Sequence, residues 1–112
     1  MQRLVSGCNA FINRAEGFHG RVSNMGALGL THILAMELTS TGITVNHIVP
    51  GLMNTTTGTS TDAQTIQRIA TGLLGRLGLP KEIAQTCVFL ASDDASFITG
   101  QDIHINGGAL RG

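Results

Sequence analysis

The 112-residue sequence is poor in charged and in large aromatic side chains. It contains no Trp and no Tyr, and four Phe supply all of its aromatic area. Only 12% of its residues are charged, about half the usual share. The seven basic residues balance the seven acidic ones. Because a surface with few charges and no net charge favours association, the composition predicts an oligomer.

Several classes of partner and location are disfavoured by what the sequence lacks. It has no basic stripe, which argues against nucleic acid and anionic membranes as partners. No apolar run approaches the roughly 18 residues of a membrane span, and the start MQRLVSGCNAF has no long apolar signal segment. Cys8 and Cys87 lack metal-type spacing and are expected to be reduced thiols. These features predict a cytoplasmic protein.

The segment RVSNMGALGLTHILAMEL, residues 21–38, has formal charges only at Arg21 and Glu37. It predicts a helix over residues 22–39 that is apolar nearly all round, which is typical of a helix covered on both sides. Gly26 and Gly29 each cost such a helix roughly 1 kcal/mol relative to Ala. We expect packing against another backbone to offset this cost.

Hydrophobic spacing and turn residues predict the remaining elements. Thr61 and Gln64 match a capping box at a helix start, and Pro80 suits the first turn of another helix. Two parallel strands make a marginal sheet, so further strands are expected from residues 1–20, from another chain, or from both. The complete prediction is an irregular strand near 10–12, helix 22–39, strand 43–49, a helix from Thr61, helix 80–92 and strand 102–106.

Four segments resemble the C-terminal half of the short-chain dehydrogenase/reductase family. They are SNMGALGLTHILAMEL, GITVNHIVPGLMNT, GRLGLPKEIAQTCVFLASDDASFITGQ and INGG, in the order and with the spacing of that family. Together they cover about residues 23–108. The resemblance implies an α/β fold, a truncated Rossmann-like half with two or three parallel strands and flanking helices, completed by homo-oligomerisation.

The same resemblance locates two catalytic positions that carry the wrong residues. The family uses a tyrosine as acid/base and, four residues later, a lysine that holds the nicotinamide ribose and lowers the tyrosine pKa. These positions fall on Gly20 and Asn24, and the chain has no tyrosine at all. Because neither residue supplies an acid/base group or a positive charge, we expect hydride transfer to be lost.

The cofactor-binding part of the family pattern is also incomplete. Pro50, Gly51 and Thr55 match the segment that contacts the nicotinamide end, and we interpret them as a remnant. A dinucleotide site also needs a glycine-rich turn between a strand and a helix, whereas GALGL lies within the predicted helix. NAD(P) binding is therefore not expected.

Histidines are the remaining candidates for chemistry. His47 and His104 fall on strands that are neighbours in the family fold, so they are tentative catalytic residues. With a carboxylate or a histidine from a second copy, they could hold a divalent ion such as zinc that activates water for ester or phosphoester hydrolysis. His32 is a further metal candidate if two copies of its helix cross at a two-fold axis. The alternative, which the lack of any local metal-ligand spacing favours, is that each histidine is a partly buried residue satisfied by a hydrogen bond.

These observations leave three hypotheses for function. The first is a catalytically degenerate dehydrogenase-like protein that self-associates as a homodimer or homotetramer through helices 22–39 and 80–92. The second is a hydrolase that uses histidines, with or without metal, and the third is a residual NAD(P) oxidoreductase. The chain is expected to consist of a divergent segment, residues 1–20, and a half-domain, residues 21–112.

Overall fold

A computed structural model describes residues 3–7, 18–54 and 63–109. This part of the chain contains three strands, three helices and two short 3-10 turns. In chain order the elements are β1 (Arg3–Gly7), α1 (Phe18–Leu38), a 3-10 turn (Thr39–Thr41), β2 (Thr44–Pro50), α2 (Ala63–Thr71), α3 (Pro80–Leu90), a 3-10 turn (Asp93–Ala95) and β3 (Asp102–Ile105).

The three strands form one parallel sheet in the order β1-β2-β3. β2 is the central strand, and six of its seven residues are buried. The β-branched residues of β2 suit a parallel strand that is covered on both faces. Its polar residues Asn46 and His47 are buried as well, and both make hydrogen bonds. The α/β, half-Rossmann prediction is therefore confirmed.

The register between β2 and β3 decides which side chains meet. His47 lies opposite Asp102, and Val49 lies opposite His104. Since alternate residues of a strand point to opposite faces, all four side chains lie on one face of the sheet. This is the face covered by α1.

The other face of the sheet carries the hydrophobic core. Ile48, Leu90 and Ala95 form its buried centre, and they come from β2, α3 and the turn after α3. Cys87 packs beside them as a partly buried free thiol. The surrounding partly buried residues are Ile83, Ile98, Ile103 and Ile105.

Helix α1 buries only one of its two apolar faces within the described chain. Thr31 and Ala35 are buried against the rest of the chain. The opposite side, which we call the outer face of α1, consists of large apolar residues that are each about half exposed or more: Val22, Met25, Leu30, Ile33 and Met36. A single copy therefore leaves one side of this helix uncovered.

The element predictions agree with the structure except near the N-terminus. A further strand was expected from residues 1–20 or from another chain, and β1 is such a strand, although it was not located at Arg3–Gly7. Residues 10–12, where an irregular strand was expected, lie outside the described residues, as does Thr61 of the expected capping box. Helix α1 begins four residues before the predicted start, at Phe18. Among the helices of the described chain, none is long and apolar enough to cross a membrane.

Candidate functional site

The carboxyl ends of β2 and β3 meet at Gly51. The backbone N–H of Gly51 donates a 2.8 Å hydrogen bond to the Ile105 carbonyl. A Cβ added at Gly51 would lie 2.6 Å from Asn106 Cα. Only glycine therefore lets the two strand ends approach so closely. Asn106 in turn accepts a 2.9 Å hydrogen bond at Oδ1 from the Gly108 N–H.

The two family catalytic positions lie in the N-terminal part of α1, at Gly20 and Asn24. Pro50 closes β2 and Gly51 follows it, whereas Thr55 lies outside the described residues. The residues present do not fit a hydride-transfer site, because a glycine and an asparagine offer neither a phenol nor an ammonium group. The Gly51 N–H is already bonded to β3. We therefore derive no catalytic step through a nicotinamide cofactor.

Two histidines share one carboxylate between α1 and the sheet. His47 Nδ1 lies 3.2 Å from Asp102 Oδ1, and His32 Nε2 lies 3.1 Å from Asp102 Oδ2. An ionised carboxylate only accepts hydrogen bonds, so both ring nitrogens are donors here. The His47 side chain is fully buried, whereas 22% of the Asp102 side chain and 43% of the His32 side chain are exposed. We call these three residues the histidine–aspartate cluster.

His104 lies outside the histidine–aspartate cluster although it shares its sheet face. It is exposed and sits opposite Val49, two residues further along β3 than Asp102. Among the described residues, no three His, Cys, Asp or Glu side chains are placed to hold a metal ion. The metal candidates His32, His47 and His104 are therefore not brought together within the described part of one copy. Asp102 lies opposite His47 and contacts one ring nitrogen each of His32 and His47, whereas His104 lies two residues further along β3. A metal site shared between two copies stays a prediction.

Asp102 is the residue of this cluster that sequence reasoning missed. It was one of several carboxylates in the chain, and nothing in its local sequence distinguished it. The usable signal was the pairing of β2 with β3, since a register that places His47 opposite Asp102 also places the carboxylate under α1. That register depends on tertiary packing rather than on a local motif.

A cavity of about 110 Å³ lies between α2, the loop before α3 and the end of β3. Arg76 at its wall forms a two-pronged ion pair with Glu82, with N–O distances of 2.7 and 3.0 Å. Glu82 also accepts a 2.8 Å hydrogen bond from the Leu79 N–H at the start of α3. Because Arg76 is already paired with Glu82, we assign the pair to fixing the helix start rather than to binding a ligand.

The ion pair makes stability depend on pH at the acid end. Hydrogen bonds from Arg76 and from the Leu79 N–H lower the pKa of Glu82 from 4.5 to about 2. The stabilisation is complete above the unfolded pKa of 4.5 and is lost as pH falls towards about 2. We expect Glu82→Gln to reduce the urea midpoint at pH about 7, with the difference from the wild type shrinking below pH about 4.5. Glu37→Gln on exposed α1 is the matched control, and a pH-independent difference would contradict this explanation.

Comparison with known proteins gives a consistent assignment. The family described as Enoyl-(Acyl carrier protein) reductase matches residues 12–109. A 3-oxoacyl-(acyl-carrier-protein) reductase FabG of Vibrio harveyi is 44% identical over 84 residues, which cover 74% of this chain and 34% of that protein. An acetoacetyl-CoA reductase of Rhizobium meliloti is 46% identical over 103 residues, which cover 87% of this chain and 43% of that protein. The chain thus spans less than half of these relatives.

Solved structures show the same relationship at the level of the fold. A short-chain type dehydrogenase/reductase from Mycobacterium ulcerans superimposes with a TM-score of 0.83 at 30% identity, over 96% of this chain and 40% of that one. A short-chain dehydrogenase/reductase variant from Serratia marcescens gives a TM-score of 0.83 at 29% identity, over 96% and 45% of the two chains. With the parallel sheet, the flanking helices and the ordered motifs, these matches show that the chain belongs to the short-chain dehydrogenase/reductase family.

Proposed function

We propose that this chain is a catalytically degenerate member of its family whose principal property is association with a second copy of itself. The observation that carries the proposal is the outer face of α1. Its large apolar side chains are about half exposed or more, and Met36 reaches 80%. A row of exposed apolar residues on one helix is typical of an interaction surface.

Two glycines on α1 support association through this helix. A Cβ added at Gly26 or Gly29 would meet nothing within 4 Å. The chain's own packing therefore does not require glycine at either position, although each lowers helix propensity by roughly 1 kcal/mol. Close approach of a second copy's backbone to this surface would explain the presence of both glycines. Exposed Val88 and Phe89 offer a smaller apolar surface on α3.

Sedimentation equilibrium at micromolar concentration tests the proposal. We expect a mass of two or four times 11.7 kDa, because burying the outer face removes apolar surface from water. A folded species that remains at 11.7 kDa across the concentration range would remove the basis for self-association. Circular dichroism on the same samples establishes that the chain is folded. A cytoplasmic location remains a prediction from the sequence.

The third hypothesis, residual NAD(P) oxidoreduction, has a direct test. We expect no binding of NADH or NADPH at millimolar cofactor, because Gly20 and Asn24 stand at the positions of the family's tyrosine and lysine. Fluorescence of the reduced nicotinamide measures binding. Its absorbance during incubation with acetoacetyl-CoA measures turnover. A full-length reductase of the family serves as positive control. Saturable binding with cofactor oxidation would restore the oxidoreductase hypothesis.

A second candidate function is hydrolysis of an ester or phosphoester by histidine. The specific observation that favours it is the histidine–aspartate cluster, in which a carboxylate orients two imidazoles. The metal-dependent form needs ligands beyond those that one described chain brings together, for example His32 from two copies. Metal analysis of the purified protein separates this form from a metal-free one.

A further inference from the structure

We infer that His32 is the general base of a metal-free hydrolytic site for activated carboxylic esters, with Asp102 and His47 as its positioning residues. This inference rests on the hydrolase candidate above and names its base. It transfers the catalytic role from the sequence-predicted pair, His47 and His104, to a residue on α1. The argument depends on which ring nitrogen is held and which one is accessible.

Asp102 decides the tautomer of His32. Asp102 Oδ2 lies 3.1 Å from His32 Nε2, so Nε2 carries the proton. A neutral imidazole then has its lone pair on Nδ1. Within the described residues, no side chain bonds to that nitrogen, and 43% of the His32 side chain is exposed. Water therefore has access to an imidazole ring whose orientation is already set.

His47 holds the carboxylate in place from inside the protein. Its Nδ1 lies 3.2 Å from Asp102 Oδ1, and its side chain is fully buried between the sheet and α1. Such burial prevents His47 from meeting a substrate itself. His47 holds one carboxylate oxygen of Asp102, and the other oxygen accepts the hydrogen bond from His32. A carboxylate held in this way fixes the orientation of a functional histidine.

The reaction that this arrangement supports is hydrolysis assisted by a general base. His32 Nδ1 takes a proton from water while the water oxygen forms a bond to the ester carbonyl carbon. The carbonyl electron pair moves to oxygen, and the tetrahedral intermediate then expels the alcohol or phenolate as the C–O bond breaks. The proton passes to the leaving oxygen or to buffer, which regenerates neutral His32. Throughout, Asp102 stabilises the positively charged ring.

The surroundings of His32 indicate the substrate class. The described part of the chain places no lysine or arginine side chain beside the histidine–aspartate cluster, and the Asp102 carboxylate gives the cluster a negative charge. Because an anionic phosphoester would be repelled by this carboxylate, uncharged carboxylic esters suit the cluster better.

Hydrolysis of 4-nitrophenyl acetate by the full chain tests the inference. We expect His32→Gln to lower the protein-dependent rate about 100-fold, within the range of general-base effects. His19→Gln removes a histidine from the same helix and should leave the rate unchanged. The rate should persist in EDTA and fall in D₂O, since no metal participates and a proton moves in the rate-limiting step.

Asp102→Asn distinguishes positioning from a structural role. An asparagine side chain of nearly the same shape can donate to His32 Nε2, which would shift the proton to Nδ1 and remove the outward lone pair. We expect a lower kcat with an unchanged KM, and an unchanged circular dichroism spectrum. His47→Gln should produce a smaller change in the same direction.

The outcomes separate the inference from the candidate function. If the wild type is no faster than free imidazole at equal histidine concentration, both the hydrolase candidate and the role of His32 are wrong. If the wild type hydrolyses the ester and His32→Gln keeps the full rate, only the assignment to His32 fails. An unchanged kcat in folded Asp102→Asn overturns the positioning role.

Discussion

Replacing Gly51 with alanine is expected to destabilise the fold by about 3 kcal/mol, near the upper end of overpacking costs. The added Cβ would stand 2.6 Å from Asn106 Cα and 2.8 Å from Asn106 Cβ. Backbone atoms cannot move aside as a flexible side chain can, so the ends of β2 and β3 must separate. The hydrogen bond from Gly51 N–H to the Ile105 carbonyl would then lengthen or break.

Thermal unfolding followed by circular dichroism measures this effect. A loss of about 3 kcal/mol corresponds to a fall in Tm of roughly 12–24 °C for a domain of this size. Gly72→Ala is the matched control, because a Cβ added at Gly72 would meet its nearest atom at 3.5 Å, an ordinary van der Waals distance. Similar Tm values for the two variants would show that the strand ends tolerate a side chain.

Ile33→Glu is expected to weaken self-association about 100-fold. Ile33 is 55% exposed in a single copy, and in the proposed assembly it would lie between two helices. A carboxylate at this position would make no apolar contact with the second copy. It would also be removed from water without a charged partner, which costs several kcal/mol. A loss of about 2.8 kcal/mol corresponds to a 100-fold change in the dissociation constant.

Sedimentation equilibrium over a range of concentrations detects the change as a mass that falls towards 11.7 kDa. Gln67→Glu adds the same charge on the exposed side of α2 and should leave the mass unaltered. Because Ile33 is half exposed, the stability of the single copy should change little, by about 0.5 kcal/mol. An unchanged mass for Ile33→Glu would exclude the outer face of α1 as the interface.

The prediction of secondary structure succeeded where several local signals agreed. Strand β2 had a β-branched run ended by Pro50, and α3 had Pro80 at its first position. Strand β1 offered only five residues with no periodic pattern, and it is stabilised by parallel pairing with β2. Such long-range pairing leaves no local signature, because the partner strand lies about 40 residues later in the chain.

The histidines show the same division between local and tertiary information. The sequence identified His32, His47 and His104 as candidates. The pairing of His47 with His104 rested only on the expectation that their two strands are neighbours. In the structure Asp102 binds His32 and His47, whereas His104 lies two residues further along β3. The orientation of side chains on two strands and one helix is set by how those elements pack, so no single segment contains it.

The sequence alone revealed the family, the α/β class and the absence of tyrosine from these 112 residues, because each of these depends on which residues occur and in what order. It also determined that α1 is apolar on both sides. Only the tertiary structure decided that one of those sides faces the sheet while the other stays exposed. It likewise decided that a carboxylate from β3 joins a buried histidine to an exposed one. Burial and hydrogen bonding between distant segments are properties of packing, which a list of residues does not specify.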